Sequence, residues 1–143
     1  MIAYFDSSSI VKWFFDEPHM ELARSVRDEA GTPFTSLVSF PEVMSAFNRS
    51  WRENRCTRAE AQKVRREFIR IWPAFHWVHA DAALTDRAGE LVFKHDLRGM
   101  DAVHLASALL LKREGGGVRV FFSCFDQRLN RAAKAEGLLT HDS

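Results

Sequence analysis

Short runs of apolar residues recur along the chain, and most of them are apolar at consecutive positions rather than at every second one. A strand with alternating polar and apolar residues has one face in water, whereas a run without alternation is buried on both faces. This pattern is typical of a parallel sheet covered on both sides. The predicted strands cover residues 2–5, 34–37, 77–79 and 118–122, with 138–140 as a candidate fifth strand.

Segments with helical periodicity lie between these runs. The clearest begins with a capping-box sequence, Thr57 with Glu60 three residues later, and places its apolar residues on one face. The predicted helices cover residues 9–16, 20–30, 40–54, 57–72, 81–95, 101–114 and 127–136. Strands that alternate with helices predict a single α/β domain over residues 1–143. Its expected architecture is a central parallel sheet of four to five strands with helices on both faces.

Composition narrows the class of protein. The 143 residues include 20 Lys and Arg and 19 Asp and Glu, so the net charge is +1 and bulk charge alone does not bind nucleic acid. The longest stretch without a charged residue, 30–41, is shorter than the roughly 20 residues that cross a bilayer. Two cysteines argue against a disulfide framework. We therefore expect a cytoplasmic protein without a membrane segment.

Four acidic residues lie at the ends of predicted elements. Asp6 directly follows the first strand, Glu42 lies one turn into the helix after the second, Asp101 opens an apolar helix, and Asp126 follows the strand at 118–122. Each has an ordinary structural explanation, because Asp caps helices and Glu in a first turn favours the helix dipole. In open α/β sheets, however, ligands bind beyond the carboxyl ends of the strands. Four acids at that end predict a functional site.

A cluster of carboxylates needs compensation. Two carboxylates about 4 Å apart repel by about 4 kcal/mol at an effective dielectric constant of 20. Such a cluster is stable only with raised pKa values or with a bound cation. Oxygen ligands alone select hard cations such as Mg²⁺ or Mn²⁺, which are typical of phosphate chemistry.

Four segments of the chain, each of which contains one of these acids, together resemble the PIN-domain nucleases, especially the VapC-type toxins of bacterial toxin–antitoxin pairs. The matching segments are residues 4–12, 39–43, 97–106 and 122–129. The third, Leu-Arg-Gly-Met-Asp-Ala-Val-His-Leu-Ala, is the most specific, and the four together extend over nearly the whole chain. At position 123 the family more often has Thr than the Ser found here, and both residues keep a hydroxyl group.

The resemblance implies a ribonuclease that depends on Mg²⁺ or Mn²⁺ and leaves a 5′-phosphate and a 3′-hydroxyl. Asp6, Asp101 and Asp126 would hold metal, directly or through water, and Glu42 would hold a second metal or orient the attacking water. Ser7 and Ser123 are candidate hydrogen-bond partners of these ligands, with helix or turn capping as the alternative. The resemblance also implies a homodimer, and an antitoxin segment that fills an apolar groove and blocks the acids.

A basic stretch, residues 49–70, carries a local charge of +5 (eight basic residues minus three Glu). It is a candidate surface for RNA phosphates, and the alternative is a solvated helix face with pairs such as Lys63 and Glu67. The RNA-binding candidates in this stretch are Arg49, Arg52, Arg55, Lys63 and Arg66.

Aromatic residues and one histidine complete the candidates. The resemblance implies an antitoxin groove, and we expect an exposed apolar cluster among Trp13, Phe14, Phe47 and Trp51 to line it. His104 lies three residues after Asp101 on the same predicted helix. We interpret it as a structural histidine, with metal binding or proton donation as the alternative.

Other classes of protein fit the acids less well. A haloacid-dehalogenase-type phosphatase needs a second Asp two residues after the first, where this chain has Ser8. Two alternatives stay open: a PIN nuclease of RNA processing without a toxin role, and a PIN-like module that binds metal, RNA or a partner without cleaving. The presence of all four acids argues against the second.

Overall fold

The sheet is parallel throughout and has the strand order β3-β2-β1-β4. A computed structural model of the chain describes residues 1–16 and 18–142. The strands are β1 (Ile2–Phe5), β2 (Phe34–Ser36), β3 (His76–Val78) and β4 (Val120–Ser123). The helices are α1 (Ser7–Val11), α2 (Met20–Ala30), α3 (Ser39–Arg52), α4 (Arg58–Ile71), α5 (Ala82–His95), α6 (Gly99–Glu114) and α7 (Gln127–Ala135).

The first strand lies inside the sheet and sets its register. Tyr4 pairs with Phe34 of β2, and the whole of β1 pairs with β4, from Ile2 opposite Val120 onward. Both neighbours are parallel to β1, so the segments that follow β1 and β4 leave the sheet at the same edge. Beyond β4, the predicted fifth strand is reduced to one parallel bridge between Phe121 and Leu139.

Side chains of β1 alternate between two cores. Tyr4 belongs to a core formed mainly with α5, α6 and α7, whereas Ala3 and Phe5 belong to a core formed with α1 to α4. The first core is rich in Ala and Leu and the second in Phe and Trp. Both faces of the sheet are therefore covered, as the absence of alternation predicts.

Two helices begin two residues earlier than the sequence predicts, and both changes concern the acids. The first helix begins at Ser7, because the Asp6 side chain accepts a hydrogen bond from the backbone N–H of Ser9 and acts as its N-cap. The sixth helix begins at Gly99, so Asp101 lies inside its first turn rather than capping it. The capping box at Thr57 and Glu60 is confirmed.

The predicted exposed aromatic cluster is wrong for two of its members. Trp13 is 5% exposed and Phe47 is 2% exposed, while Phe14 and Trp51 are half-buried. The rings of Trp13, Phe14 and Phe47 pack into the second core, where aromatic side chains fill the space that aliphatic ones fill on the other face. Trp51 is not part of that core, and Arg52 and Arg58 lie over its ring. No exposed cluster of these four residues forms.

An apolar groove lies between α3 and α4, and two of the four predicted residues, Phe47 and Trp51, line it. Its volume is about 440 Å³. Its apolar lining comes from Phe40, Met44, Phe47, Trp51, Ala61 and Ile69. Arg58 and Arg65 add positive charge to its lining. Among the helices in the described part of the chain, none has the length and apolar character required to cross a bilayer.

Candidate active site

All four predicted acids line one cleft of about 1100 Å³. Asp6 follows β1 and Asp126 follows β4, while Glu42 and Asp101 come from the first turns of α3 and α6. The topology therefore brings together residues that are up to 120 positions apart in the sequence. Positive side chains line the same cleft: Lys12, Arg49 and Arg98.

Asp6 is the buried member of the group. Its side chain is anchored by the backbone N–H of Ser9 at 2.9 Å and by the hydroxyl of Ser8, which donates to Oδ1 at 2.8 Å. Burial, with a smaller contribution from the nearby Asp101, raises the pKa of the Asp6 carboxyl from 3.8 to about 6, although the hydrogen bonds from Ser9 and Ser8 act to lower it. A carboxyl in this environment favours an additional positive charge in the cleft.

Glu42 is held by two side chains from other elements. Its Oε1 accepts hydrogen bonds from the Ser7 hydroxyl and from Nε2 of His104, the latter at 2.8 Å. Burial would raise the pKa of Glu42, but these two partners lower it below its ordinary value. The carboxylate form of Glu42 is therefore stabilised at the wall of the cleft.

Asp101 and Asp126 both lie close to the guanidinium of Arg98, a residue that the sequence did not single out. Arg98 lies 3.2 Å from Oδ2 of Asp101 and 3.7 Å from Oδ2 of Asp126. Its side chain is 80% exposed. Asp126 also caps α7 by accepting from the backbone N–H of Leu129. The only sequence signal for this contact is the three-residue spacing of Arg98 and Asp101, which is common on any helix.

The two predicted serines have different surroundings. Ser7 donates directly to Glu42. The backbone carbonyl of Ser123 accepts a hydrogen bond from the N–H of Asp6 at 3.2 Å, but its hydroxyl bonds to none of the four acids within the described residues. That hydroxyl lies 2.6 Å from the hydroxyl of Ser9 and 2.9 Å from Nε2 of His141. Ser9 in turn anchors Asp6, so the Ser123 hydroxyl is linked to the Asp6 carboxylate through one intermediate residue. Neither serine is the cap of its helix, since Asp6 and Asp126 have that role.

The basic candidates separate in space. Of the five, Arg49 is the one that lines the acid cleft. Arg52 stacks over the Trp51 ring at 4.1 Å, and Arg55 forms an ion pair with Glu53. Lys63 and Arg66 are exposed on α4. Within this set, Arg49 is therefore the residue that lies beside the four acids.

The carboxylate oxygens of the cleft are the kind of ligand that hard divalent cations prefer. They lie around a buried acid with a raised pKa, which is the environment that oxygen-ligated Mg²⁺ or Mn²⁺ favours. Within residues 1–16 and 18–142, no three His, Cys, Asp or Glu side chains already converge as a metal-binding group. Arg98 occupies the approach between Asp101 and Asp126 with its own positive charge.

Comparison with known proteins agrees with this architecture. The family model for the PIN domain matches residues 3–135. Ribonuclease VapC45 and ribonuclease VapC49 of Mycobacterium tuberculosis strains are each 35% identical over 136 residues, which is 95% of this chain and 92% of theirs.

Solved structures share the fold at lower identity. M. tuberculosis VapC20, described as a sarcin–ricin loop cleaving toxin, superimposes with a TM-score of 0.65 at 21% identity, over 91% of this chain and 94% of its own. VapBC2 from Rickettsia felis, bound to a promoter DNA fragment, gives 0.63 at 12% identity and covers 99% and 98%. The chain belongs to the PIN-domain family and, within it, to the VapC-type proteins.

Proposed function

We propose that this chain is an endoribonuclease, the toxin of a toxin–antitoxin pair, that hydrolyses RNA phosphodiester bonds in the acid cleft with the help of Mg²⁺ or Mn²⁺. The observation that carries the proposal is the meeting of Asp6, Glu42, Asp101 and Asp126 in one cleft at the carboxyl edge of the sheet. The names of the relatives at 35% identity support RNA as the substrate.

The residues assigned to metal are Asp6, Asp101 and Asp126. Their oxygen donors match the preference of Mg²⁺ and Mn²⁺, and Asp6 combines burial with a raised pKa. When bound, a divalent cation lowers the pKa of water and offsets the charge that develops on a phosphate. Arg98 would exchange one or both of its carboxylate partners for a new arrangement when metal is present.

Glu42 is assigned to the attacking water. Its Oε1 is already occupied by Ser7 and His104, and its side chain lines the cleft. The lowered pKa of Glu42 keeps it in the carboxylate form, whose oxygen can orient a water by accepting a hydrogen bond from it. The product would carry a 5′-phosphate, because water rather than the ribose 2′-hydroxyl is the nucleophile.

Arg49 and Arg98 are assigned to the phosphate backbone. Both are exposed, and both line the cleft beside the acids. Phosphate contacts position a nucleic acid without reading its sequence, so selection of the target is left to RNA shape and to contacts elsewhere. Water as the nucleophile makes the 2′-hydroxyl dispensable for the chemistry itself.

The proposed partner is an antitoxin protein. One similar solved structure is described as a toxin–antitoxin complex from Klebsiella pneumoniae, at 18% identity over 83% of each chain with a TM-score of 0.57. The apolar groove between α3 and α4 gives this chain a surface for such a segment. We also infer a homodimer and a cytoplasmic location, and light scattering on the purified chain measures the first.

Cleavage of structured cellular RNA tests the proposal. The purified chain, freed of any bound partner, is incubated with Mg²⁺, with Mn²⁺ or with EDTA, beside an Asp6→Asn variant. We expect cuts with 5′-phosphate ends in either metal, and none in EDTA or with the variant. Metal-dependent thermal stabilisation without any cut would instead support a binding module, and the absence of both effects would refute the proposed site.

A further inference from the structure

His104 joins the core of the protein to the acid cleft. It is 2% exposed, and it lies on α6 three residues after Asp101. Its Nδ1 lies 2.7 Å from the Tyr4 hydroxyl, and its Nε2 lies 2.8 Å from Oε1 of Glu42 and 3.1 Å from the Ser7 hydroxyl. The ring therefore contacts side chains from β1, α1 and α3 at once.

The proton positions follow from the partners on each side of the ring. Ser7 donates its hydroxyl hydrogen to Glu42, so the oxygen of Ser7 can only accept from Nε2 of His104. The carboxylate of Glu42 also accepts from Nε2. Both contacts require the proton of the imidazole to be on Nε2.

Tyr4 determines the other nitrogen. A phenol has an ordinary pKa of about 10, so the Tyr4 hydroxyl carries its proton at neutral pH. A buried hydroxyl needs an acceptor, and Nδ1 of His104 lies 2.7 Å away. Nδ1 is then the accepting nitrogen, and the ring is neutral with its hydrogen on Nε2.

The hydrogen bonds to Glu42 are asymmetric. Both Ser7 and His104 bond to Oε1, and the described residues give Oε2 no hydrogen-bond partner. One oxygen of the carboxylate is therefore fixed, and the other is the atom that Glu42 offers to the cleft. Fixing one oxygen from a buried ring restricts the orientation of the whole carboxylate.

We propose that Tyr4 fixes His104 as its Nε2–H tautomer, so that His104 and Ser7 hold Oε1 of Glu42 and leave Oε2 free to orient the attacking group. His104 is thus a positioning residue that acts through Glu42. The inference rests on the proposed function for what Oε2 does, but the hydrogen-bond arrangement itself is independent of catalysis.

Nitrogen NMR of the histidine side chains tests the arrangement without any activity. Long-range correlations in ¹⁵N-labelled protein distinguish the two neutral tautomers and the doubly protonated ring, and loss of one set of signals in His104→Gln assigns the residue. At pH 7.5 we expect Nε2–H for His104, and a shift toward a mixture in Tyr4→Phe. An Nδ1–H or doubly protonated His104 in the wild-type protein would overturn the proposal.

Kinetics of two matched variants separate positioning from packing. The amide of His104→Gln keeps a donor on the side of Glu42, whereas His104→Leu keeps apolar bulk and removes the donor. We expect kcat to fall about 10- to 100-fold in the Leu variant, the effect of one hydrogen bond to a charged group, with KM changed less than about twofold. The Gln variant should recover most of this loss.

A purely packing role predicts the reverse order, because a buried Gln costs more than a buried Leu. Thermal melting accompanies each variant, and if the Leu variant does not fold, Tyr4→Phe and Ser7→Ala take its place, each with an expected fall in kcat. In a Glu42→Gln background the Leu substitution should have no further effect. If the wild-type chain cuts no RNA at all, the proposed function fails while the NMR result still decides the tautomer.

Discussion

Two sides of the acid cleft are held by different means. On the His104 side, formed by Tyr4, Ser7, Glu42 and His104, the carboxylate is bonded to a buried ring and a hydroxyl group. On the Arg98 side, formed by Arg98, Asp101 and Asp126, the carboxylates face an arginine that is 80% exposed.

The difference in burial implies a difference in exchangeability. Bonds between buried neutral donors and a carboxylate are lost only when the surrounding core moves. An exposed ion pair contributes about 0–1 kcal/mol and is readily replaced by water or by another cation. The Glu42 carboxylate on the His104 side is thus fixed in position, whereas the guanidinium on the Arg98 side is readily displaced by another cation.

The largest expected effect comes from the acids themselves. Asp6→Asn, Asp101→Asn and Asp126→Asn should each reduce single-turnover RNA cleavage on the order of 100-fold or more, since each removes a charge assigned to the metal. Asp96→Asn, an exposed position away from the cleft, is the control and should keep full activity. Wild-type rates in all three cleft variants would refute the site assignment.

Replacement of Asp6 by Asn should lower activity but raise the stability of the folded protein. An acid whose pKa is raised on folding, here from 3.8 to about 6, binds its proton more tightly in the folded state. Stability is therefore lost as the pH rises through this window, by at most about 3 kcal/mol above pH 6. In EDTA, Asp6→Asn should gain stability relative to wild type between pH 4 and pH 7.5.

Urea unfolding at about pH 4 and at about pH 7.5 measures the difference in unfolding free energy between Asp6→Asn and wild type. The variant keeps an oxygen that accepts the N–H of Ser9, so the helix cap is retained. For Asp96→Asn, the difference in unfolding free energy from wild type should be the same at both pH values. A difference between Asp6→Asn and wild type that is independent of pH would contradict the burial of an ionised carboxylate.

Arg49 and Arg55 form a matched pair for RNA affinity. Arg49 lines the cleft, whereas Arg55 is paired with Glu53 outside it. Arg49→Gln should weaken RNA binding and reduce the slope of log affinity against log salt by about 1, while Arg55→Gln leaves both unchanged. Fluorescence anisotropy with a catalytically inactive Asp101→Asn background measures both quantities, and equal effects would place the RNA on the wider basic surface.

A small change in metal affinity is expected when the cation on the Arg98 side is removed. Arg98→Gln removes the cation that competes for Asp101 and Asp126, so Mn²⁺ should bind about two- to fivefold more tightly. Arg128→Gln, which breaks a comparable exposed pair with Asp96, should leave Mn²⁺ affinity unchanged. Calorimetric titration distinguishes them, and weaker Mn²⁺ binding in Arg98→Gln would show that Arg98 supports the metal site instead.

Local sequence signals predict the fold well. Apolar runs locate all four strands to within two residues, and the capping box at Thr57 and Glu60 locates the start of α4. The proximity of the four acids follows from parallel topology, because strands that run the same way end at the same edge.

Tertiary contacts set the limit of that prediction. The bonds of His104 to Tyr4 and Glu42 join residues 100 and 62 positions apart, and no spacing along the chain encodes them. The burial of Trp13 and Phe47 depends on how four helices fill one face of the sheet, so the groove that the resemblance implies led to an expectation of exposure where the structure has core.

Isotope labelling of the product determines whether water or the ribose 2′-hydroxyl attacks the phosphodiester. A short RNA that contains the mapped cleavage site, with a single 2′-deoxy sugar at the cut, is incubated with the wild-type chain and Mn²⁺ in H₂¹⁸O. Attack by water in the acid cleft predicts continued cleavage, with ¹⁸O in the 5′-phosphate of the product. Loss of cleavage on removal of the 2′-hydroxyl, with a 2′,3′-cyclic phosphate from the unmodified RNA, would show that the 2′-hydroxyl is the nucleophile and that the proposed role of the acid cleft is wrong.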